Sequence, residues 1–278
     1  MTAETFADWI GRSVTREDVA TPRLLSEYRA CLNPFLFEAA DGKSCPPGFH
    51  WGLAPATPAM VDLAEDASEA KGLFIPPIPY PRRMWAGGSI ETLAPISQNA
   101  AIRRVSSIVG IQHREGKSGR LYFVSVSHEI SSNGVLAVRE RQDLVFREGT
   151  SQTTPGTAAS DMADGLSWTV TPSPALLFRF SALTFNGHRI HYDAPYAAQE
   201  GYPGLVVHGP LQAALMLNQM TTALGTVPRR FDYRCLAPLF GGPDFQVRTE
   251  AAEAGMVTRV IRHDGITTAE GRARAQGT

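Results

Sequence analysis

Three of the seven histidines lie close together in the chain, at His188, His191 and His208. Imidazole is the side chain best suited to moving protons near neutral pH. Asn186 precedes His191 by five residues, and its amide can hold a water or a carbonyl group without titrating. The spacing therefore predicts a proton-transfer group beside a polar residue that orients its partner.

His208 is followed by Gly209 and Pro210 at the start of a predicted helix. Proline suits the first turn of a helix, and glycine lets a ligand approach the backbone. Free N–H groups at a helix start bind developing negative charge. A proton-transfer side chain, a polar orienter and an oxyanion site together suit chemistry through an enolate, such as water addition to an unsaturated thioester.

The elements around this segment are predicted from hydrophobic patterning. Residues 209–224 form the clearest helix in the chain, with apolar Leu211, Ala214, Leu215, Leu217 and Met220 and polar Gln212, Asn218 and Gln219. Alternating or β-branched runs predict strands on both sides of the motif, at 167–171, 175–183, 230–236, 245–249, 256–263 and 266–275. We therefore expect the histidine cluster to leave a strand and to precede a helix.

The first half of the chain is predicted to be a strand meander. A helix is expected at 21–32 and another around 58–67, before a proline-rich run at 76–81 that should be rigid and extended. Three long strands follow, at 101–112, 121–131 and 135–146, joined by turns at 115–119 and 131–134. The polar stretch 148–162 predicts a linker, with a boundary near 150–165. Runs of strands with one segregated helix indicate the α+β class.

Composition excludes several classes of protein. The 26 basic and 27 acidic residues leave a net charge of -1, which argues against a nucleic-acid binder. The chain has no run of 18 apolar residues, so we expect no membrane-spanning helix. The first nine residues lack the features of a secretory signal or a transit peptide. Three distant cysteines predict neither disulfides nor a cysteine zinc site, and we expect a cytoplasmic protein.

A metal site on the three clustered histidines is disfavoured. Asp193 is the only nearby carboxylate, and no cysteine lies at a usual zinc-ligand spacing. No metal and no cofactor are therefore expected. The other four histidines, at positions 50, 113, 128 and 263, are interpreted as structural.

The segment Phe-Asn-Gly-His-Arg-Ile-His-Tyr-Asp at 185–193, with His208-Gly209 downstream, resembles the motif of the MaoC-like hydratases and dehydratases of the hot-dog fold. In (R)-specific enoyl-CoA hydratases of that family the pattern is Asp-x-Asn-Pro-x-His, followed by His-Gly. On that spacing Asn186 stands at the aspartate, His188 at the asparagine and His191 at the histidine, and Arg189 replaces the proline. If the roles carry over, His191 performs most of the proton transfer and Asn186 positions water.

The first half carries a second match, in Pro-Pro-Ile-Pro-Tyr-Pro-Arg-Arg-Met-Trp-Ala-Gly-Gly at 76–88, then His128-Glu129 and Gln-Asp-Leu-Val-Phe at 142–146. It resembles a branch that contains itaconyl-CoA and mesaconyl-CoA hydratases and 3-hydroxyacyl-thioester dehydratases. Together the two matches cover roughly residues 35–275. The resemblance implies a double hot dog, with a degenerate half at 1–150 and a catalytic half at 151–278, each folded around a central helix.

The resemblance also implies a function, namely reversible hydration of an α,β-unsaturated acyl-CoA, with a branched dicarboxylic acyl group such as itaconyl or mesaconyl. The expected catalytic residues are His191, Asn186, His188 and Gly209. The expected substrate contacts are Arg82, Arg83, Trp85, Arg189, Tyr192 and His208, because an arginine fork binds a free carboxylate well. The acyl-CoA is the expected small-molecule partner, and a homodimer is expected. Three alternatives stay open: a fatty (R)-3-hydroxyacyl-thioester dehydratase, a non-catalytic acyl-thioester-binding module and a thioesterase.

Overall fold

A computed structural model describes residues 6–116, 119–148, 157–158 and 165–274. The strands are β1 (Ser13–Val19), β2 (Arg82–Thr92), β3 (Ala101–Gly116), β4 (Gly119–Ser132), β5 (Val135–Arg147), β6 (Thr157–Ala158), β7 (Leu166–Val170), β8 (Arg230–Cys235), β9 (Phe245–Ala252), β10 (Gly255–Ile261) and β11 (Ile266–Arg274). The helices are α1 (Pro22–Leu32), α2 (Pro174–Leu183), α3 (Ala194–Gln199) and α4 (Gly209–Leu224).

One antiparallel sheet contains all of these strands. Its order is β1-β3-β4-β5-β2-β8-β11-β10-β9-β7, and the short β6 pairs with β11. The pairing of β2 with β8, from Gly87 opposite Arg234 to Glu91 opposite Arg230, joins the strands of the first 150 residues to those of the later part. The α+β class is therefore confirmed. No helix among the described residues is long and apolar enough to cross a membrane.

The predicted meander of the first half is confirmed. Strands β3, β4 and β5 pair in sequence and extend one to four residues beyond the expected ends. Asn133 and Gly134 form the second turn with positive φ angles of 50° and 83°, which asparagine and glycine tolerate best. The first predicted turn, at 115–119, includes residues 117–118, which lie outside the described residues. Most of the predicted linker at 148–162 and of the predicted boundary lies outside them as well.

Helix α4 has the predicted bounds and forms the centre of the main core. Its residues from Leu211 to Thr221 are all buried, and it packs against the strands of the second half and against β2. Its buried amides are satisfied: Gln219 Nε2 donates to Val247 O at 2.7 Å and Asn218 Nδ2 to Pro47 O at 2.8 Å. A helix enclosed in this way is apolar on most of its circumference, which the sequence shows.

The prediction of a strand at 175–183 is wrong, because these residues form helix α2. Short apolar runs do not distinguish a buried strand from a buried helix by periodicity. The start signal was nevertheless present: Ser173 Oγ accepts the N–H of Leu176 at 3.2 Å, and Pro174 occupies the first turn. The motif therefore follows a helix rather than a strand.

Other local predictions also need correction. The helix expected around 58–67 is reduced to one 3₁₀ turn at Met60–Asp62. The helix at 21–32 is confirmed as α1. Strands β1 and β2 were missed; β2 carries Gly87-Gly88, a pair that weakens the strand pattern in sequence.

The proline-rich run forms neither helix nor strand; it turns locally, since the N–H of Ile78 donates to Pro76 O at 2.7 Å, and it lies over the sheet of the first half. Ile75, Ile78 and Tyr80 are buried against β3, β4 and β5 in a second core cluster that also contains Tyr122 and Phe146. This segment therefore covers one end of β3 to β5, whose other end packs into the main core together with α1. This arrangement matters for the site, because it leaves a cavity that residues of both halves line.

Candidate active site

A cavity of about 760 Å³ lies beside the start of α4. It is lined by strands of the first half, by the loop that follows α2 and by the first turn of α4. Seven of the ten predicted site residues line it, namely Arg83, Trp85, Asn186, His188, His191, Tyr192 and Gly209. The structure places the other three, Arg82, Arg189 and His208, outside this lining. Distant parts of the sequence thus converge on one cavity, of the size that holds small-molecule ligands.

His191 ends a 3₁₀ turn at Arg189–His191 and is 6 % exposed. Its Nδ1 lies 2.7 Å from the carbonyl oxygen of Val206. A carbonyl only accepts, so Nδ1 carries the proton and the Nε2 lone pair is left free. Burial, with a smaller effect of nearby His188, lowers the pKa of His191 to about 3. The imidazole is therefore neutral at pH 7, the form in which it can accept a proton.

His208 lies behind His191 and does not line the cavity. It is 0 % exposed, and the two imidazoles stack with centroids 3.6 Å apart and planes 20° apart. Its Nε2 is 2.8 Å from Ser181 Oγ on α2. Burial lowers the pKa of His208 well below its ordinary value, so it too is neutral. The geometry makes His208 a support that holds the ring of His191, whereas a direct substrate contact was expected.

Asn186 is held in a fixed orientation by its own loop. Its N–H donates to Ser181 O at 2.8 Å, and its Oδ1 accepts the N–H of His188 at 3.1 Å. Because Oδ1 is engaged, the Nδ2 group keeps its donors for a ligand in the cavity. Asn186 is thus suited to binding the oxygen of a water or a carbonyl.

His188 lies at the cavity wall, edge-on to His191 with ring centroids 5.5 Å apart. Its Nε2 is 3.6 Å from a carboxylate oxygen of Asp66. Burial outweighs this carboxylate and lowers the pKa of His188 to about 4. At Gly187 an added Cβ would lie 2.6 Å from the carbonyl oxygen of Ala67. The motif loop and the 64–70 loop therefore pack backbone to backbone, which requires glycine.

Gly209 is the first residue of α4, so its N–H has no partner within the helix. An added Cβ would overlap the ring of Trp85 and lie 3.3 Å from Cys235 Sγ. Trp85 in turn packs on Trp51 and Tyr233, with ring centroids 5.9 Å and 5.0 Å apart. Glycine at this position keeps the helix N-terminus open to the cavity, where a donor can meet an oxyanion.

The three predicted arginines have different environments. Arg83 is half-buried and lines the cavity. Burial lowers the pKa of its guanidinium, and no carboxylate of the described residues forms an ion pair with it. Arg82 instead donates to Glu200 O at 2.6 Å. Arg189 binds Asp193, with both N–O distances below 3.0 Å, and lies over the ring of Tyr196. Of these three arginines, Arg83 alone lines the cavity.

Tyr192 lines the cavity near its rim. It is 42 % exposed, and its hydroxyl donates to Gly187 O at 2.8 Å. The bond ties the two ends of the motif loop together. The aromatic ring remains available to a ligand that enters the cavity.

Sequence analysis missed three contributors to this site. Ser181 and Val206 act through the buried imidazoles, and Asp66 reaches His188 from a loop more than a hundred residues earlier. The sequence could suggest a contact between Ser181 and His208 only if residues 174–183 were first identified as a helix. Within the described ranges, no group of three His, Cys, Asp or Glu residues could hold a metal ion.

Comparison with known proteins places this geometry in a family. The sequence profile of hydroxyacyl-thioester dehydratase type 2 matches residues 48–241. The mesaconyl-C(4)-CoA hydratase of Chloroflexus aurantiacus is 39% identical over 250 residues, which is 89% of each chain.

Solved structures show the same fold. The crystal structure of HtdX of Mycobacterium tuberculosis aligns with a TM-score of 0.68 at 18% identity, over 95% of this chain and 100% of that one. Another Mycobacterium tuberculosis protein, described as a double hot dog, aligns with a TM-score of 0.57 at 13% identity, over 98% and 97%. The expected double hot-dog fold is confirmed, and the chain belongs to the hydroxyacyl-thioester dehydratase type 2 family.

Proposed function

We propose that the protein is a hydro-lyase that adds water reversibly to the double bond of an α,β-unsaturated acyl-CoA thioester. The observation that carries this proposal is the arrangement around His191. A neutral imidazole with a free Nε2 lies in the same cavity as a helix N-terminus and an amide donor. This set supplies a base, an oxyanion site and a water-positioning group, which are the parts that hydration requires.

In the proposed reaction, Asn186 Nδ2 holds the attacking water. His191 Nε2 takes one proton from that water while the oxygen bonds to the β-carbon. The electron pair of the double bond moves towards the thioester carbonyl, whose oxygen becomes negative. The imidazolium then returns its proton to the α-carbon, which restores the thioester and the free base.

The N–H of Gly209 stabilises the enolate oxygen in this scheme. The charge forms in a cavity from which much of the water is excluded, so one fixed donor counts for more than it would in bulk solvent. The low pKa of His191 describes the empty site. An enolate formed nearby raises the proton affinity of the imidazole during turnover.

For the acyl group we propose a branched dicarboxylate, of the kind named by the mesaconyl-C(4)-CoA hydratase. Arg83 supports this choice, because it is a half-buried cation in the cavity without an ion-pair partner among the described residues. A planar guanidinium binds a carboxylate through two parallel hydrogen bonds. We assign the catalytic groups to the half at 151–278 and the substrate walls to the half at 1–150.

Turnover of a thioester panel tests the proposal. Purified protein is mixed with crotonyl-CoA and with mesaconyl-C(4)-CoA, and loss of absorbance at the enoyl band is followed with product identification. We expect faster turnover of the dicarboxylic ester and no release of free thiol. Binding without absorbance loss would favour a non-catalytic module, and thiol release would favour a thioesterase.

The family profile favours a second candidate, the dehydration of a (R)-3-hydroxyacyl thioester. The same residues serve, because dehydration is the reverse reaction. Faster turnover of crotonyl-CoA than of mesaconyl-C(4)-CoA would support this alternative. Arg83→Gln separates the two further, since it should impair only the dicarboxylic ester.

We also propose that the protein is a cytoplasmic homodimer; the three distant cysteines support a reducing compartment. One chain has a mass of 30.1 kDa, so light scattering after gel filtration should give about twice that mass. A single-chain mass at assay concentration would refute the dimer.

A further inference from the structure

The cavity has a second polar wall, away from the histidines. Five side chains from four strands of the first half line it, namely Arg16, Arg104, Ser106, His128 and Gln142. They lie on β1, β3, β4 and β5, and none takes part in the proposed proton transfers. We name this group the distal polar wall.

Two cations of this wall face each other across neighbouring strands. Arg16 of β1 is directly opposite Arg104 of β3, a pairing that is destabilising for like charges. No carboxylate of the described residues forms an ion pair with either guanidinium. Arg104 contacts only weak partners at the edge of hydrogen-bond range: Leu53 O at 3.3 Å and His128 Nδ1 at 3.4 Å. The fold therefore keeps two adjacent positive charges at the cavity without a carboxylate at ion-pair distance, although Glu140 attracts Arg104 through space.

A buried histidine adds a free donor beside these cations. His128 is 6 % exposed, and its Nδ1 is also 2.8 Å from Ser106 Oγ. An arginine only donates, so Nδ1 accepts and the proton resides on Nε2. That Nε2 is buried and has no hydrogen-bond partner among the described residues. His128 belongs to the cavity lining, and a buried donor without a partner at hydrogen-bond distance leaves a place for an acceptor next to it.

The nearest buried carboxylate is already occupied. Glu140 Oε1 accepts from Trp51 Nε1 at 2.8 Å and from Tyr233 OH at 3.2 Å, and Oε2 lies 3.6 Å from His50 Nε2. It holds these rings in place behind Trp85. It does not serve as the counterion of Arg16 or Arg104 at ion-pair distance.

We propose that the distal polar wall binds a phosphate of the coenzyme A part of the thioester ligand, remote from the reacting carbon. The inference rests on the proposed function for the identity of the ligand. Arg104 is on β3, three strands from β2 in the sheet order. At about 4.8 Å per strand this is about 14 Å along the sheet from the strand that bears Trp85. Two guanidinium groups, a hydroxyl, an imidazole N–H and an amide match the oxygens of such an anion.

Charge-removing variants and a set of four thioesters test the proposal. Arg104→Gln and Arg16→Gln are compared with Arg103→Gln, an exposed neighbour on the opposite face of β3. The substrates are crotonyl-CoA, mesaconyl-C(4)-CoA and the N-acetylcysteamine thioesters of both acyl groups. We expect kcat/KM to fall about tenfold to hundredfold for the ligands that carry the recognised anion. Arg103→Gln should match the wild type throughout, and thermal unfolding checks that all variants are folded.

The pattern of losses identifies the anion. A loss for both CoA esters but neither N-acetylcysteamine thioester indicates a phosphate of the coenzyme. A loss for both mesaconyl thioesters but neither crotonyl thioester would mean that the wall acts on the acyl carboxylate, which is bonded to the reacting β-carbon, and would overturn the proposal. Equal losses for all four substrates, or no loss for any, would overturn the proposal.

Binding measurements keep this test separate from that of hydration. Calorimetric titration of free coenzyme A and of mesaconate into wild type and Arg104→Gln needs no turnover. Weaker binding of coenzyme A by the variant, with unchanged binding of mesaconate, supports the site even if no thioester is hydrated, an outcome that would refute only the proposed function. Equal binding of both ligands by the two proteins would contradict the site.

Discussion

A single methyl group at Gly209 should impair both packing and catalysis. In Gly209→Ala the new Cβ would lie under 3.0 Å from the ring of Trp85, a distance that real Cβ atoms essentially never show. The ring cannot retreat into the protein, because Trp51 and Tyr233 pack against it. It must therefore move towards the cavity, where the thioester carbonyl meets the Gly209 N–H in the proposed mechanism.

The size of the effect follows from these contacts. Overpacking of a filled site costs about 1–3 kcal/mol of unfolding free energy. A shift of the ring by about 1 Å, or the same displacement of the substrate, costs up to about a hundredfold in rate. We therefore expect kcat/KM to fall about tenfold to hundredfold, with a measurable but smaller loss of stability.

Steady-state hydration kinetics and chemical denaturation measure the two effects. Gly204→Ala is the matched control, because the nearest atom to its new Cβ is 3.9 Å away and its φ is not positive. In a Trp85→Leu background the penalty of Gly209→Ala should shrink, which a double-mutant cycle detects. Wild-type kcat/KM for Gly209→Ala would refute both the steric argument and the role of this helix start.

Four further changes probe the imidazoles and their supports. His191→Ala should lower kcat at least about a hundredfold if this residue is the base; near-normal turnover would exclude it. Ser181→Ala removes the bond to buried His208 and should cost about 1–3 kcal/mol in urea unfolding; unchanged stability would contradict this support. Asn186→Asp should add an acidic limb to the pH–rate profile, and an identical profile would count against contact with the reacting water. Burial lowers the pKa of His128 to about 3, so between pH 6.5 and 4.5 the unfolded chain takes up protons at this residue that the folded chain cannot. The free energy of unfolding should therefore decrease as the pH is lowered through this range, by up to about 1.4 kcal/mol per pH unit for this residue. His128→Gln should reduce this pH dependence, and an equal dependence in both proteins would contradict the prediction.

Much of the fold was predictable because its signals are local. The meander strands and helix α4 follow from periodicity over ten or more residues, and their bounds agree closely with the structure. Helix α2 was predicted as a strand because its ten apolar-rich residues fit the helix period and the strand period equally well. The cap at Ser173 is the local signal that distinguishes the two. Strand β2 was not predicted because its two glycines interrupt the strand pattern, although residues 76–88 resemble a segment of the hydratase branch.

The site was predictable in part for the same reason. Residues 186–209 form one contiguous motif, so their proximity could be inferred. Arg82 and Arg83 could not be distinguished, because adjacent residues of a strand point to opposite faces and only the observed register places Arg83 in the cavity. The bond from Ser181 and the carboxylate of Asp66 depend on tertiary packing, which the sequence does not display.

Different segments pack against the sheet in the two halves, and this difference explains how one cavity can hold both catalytic groups and groups that select the substrate. In the second half, α4 occupies the concave face of the sheet and presents its N-terminus with the imidazoles beside it. In the first half, the segment around Ile78 covers only β3 to β5 at one end, so inward-facing polar residues such as Arg104 stay accessible from the cavity. A helix over this face would bury those cations without partners, at a cost of several kcal/mol. The partial cover of the first-half strands therefore leaves these side chains within reach of the charged ligand that we propose.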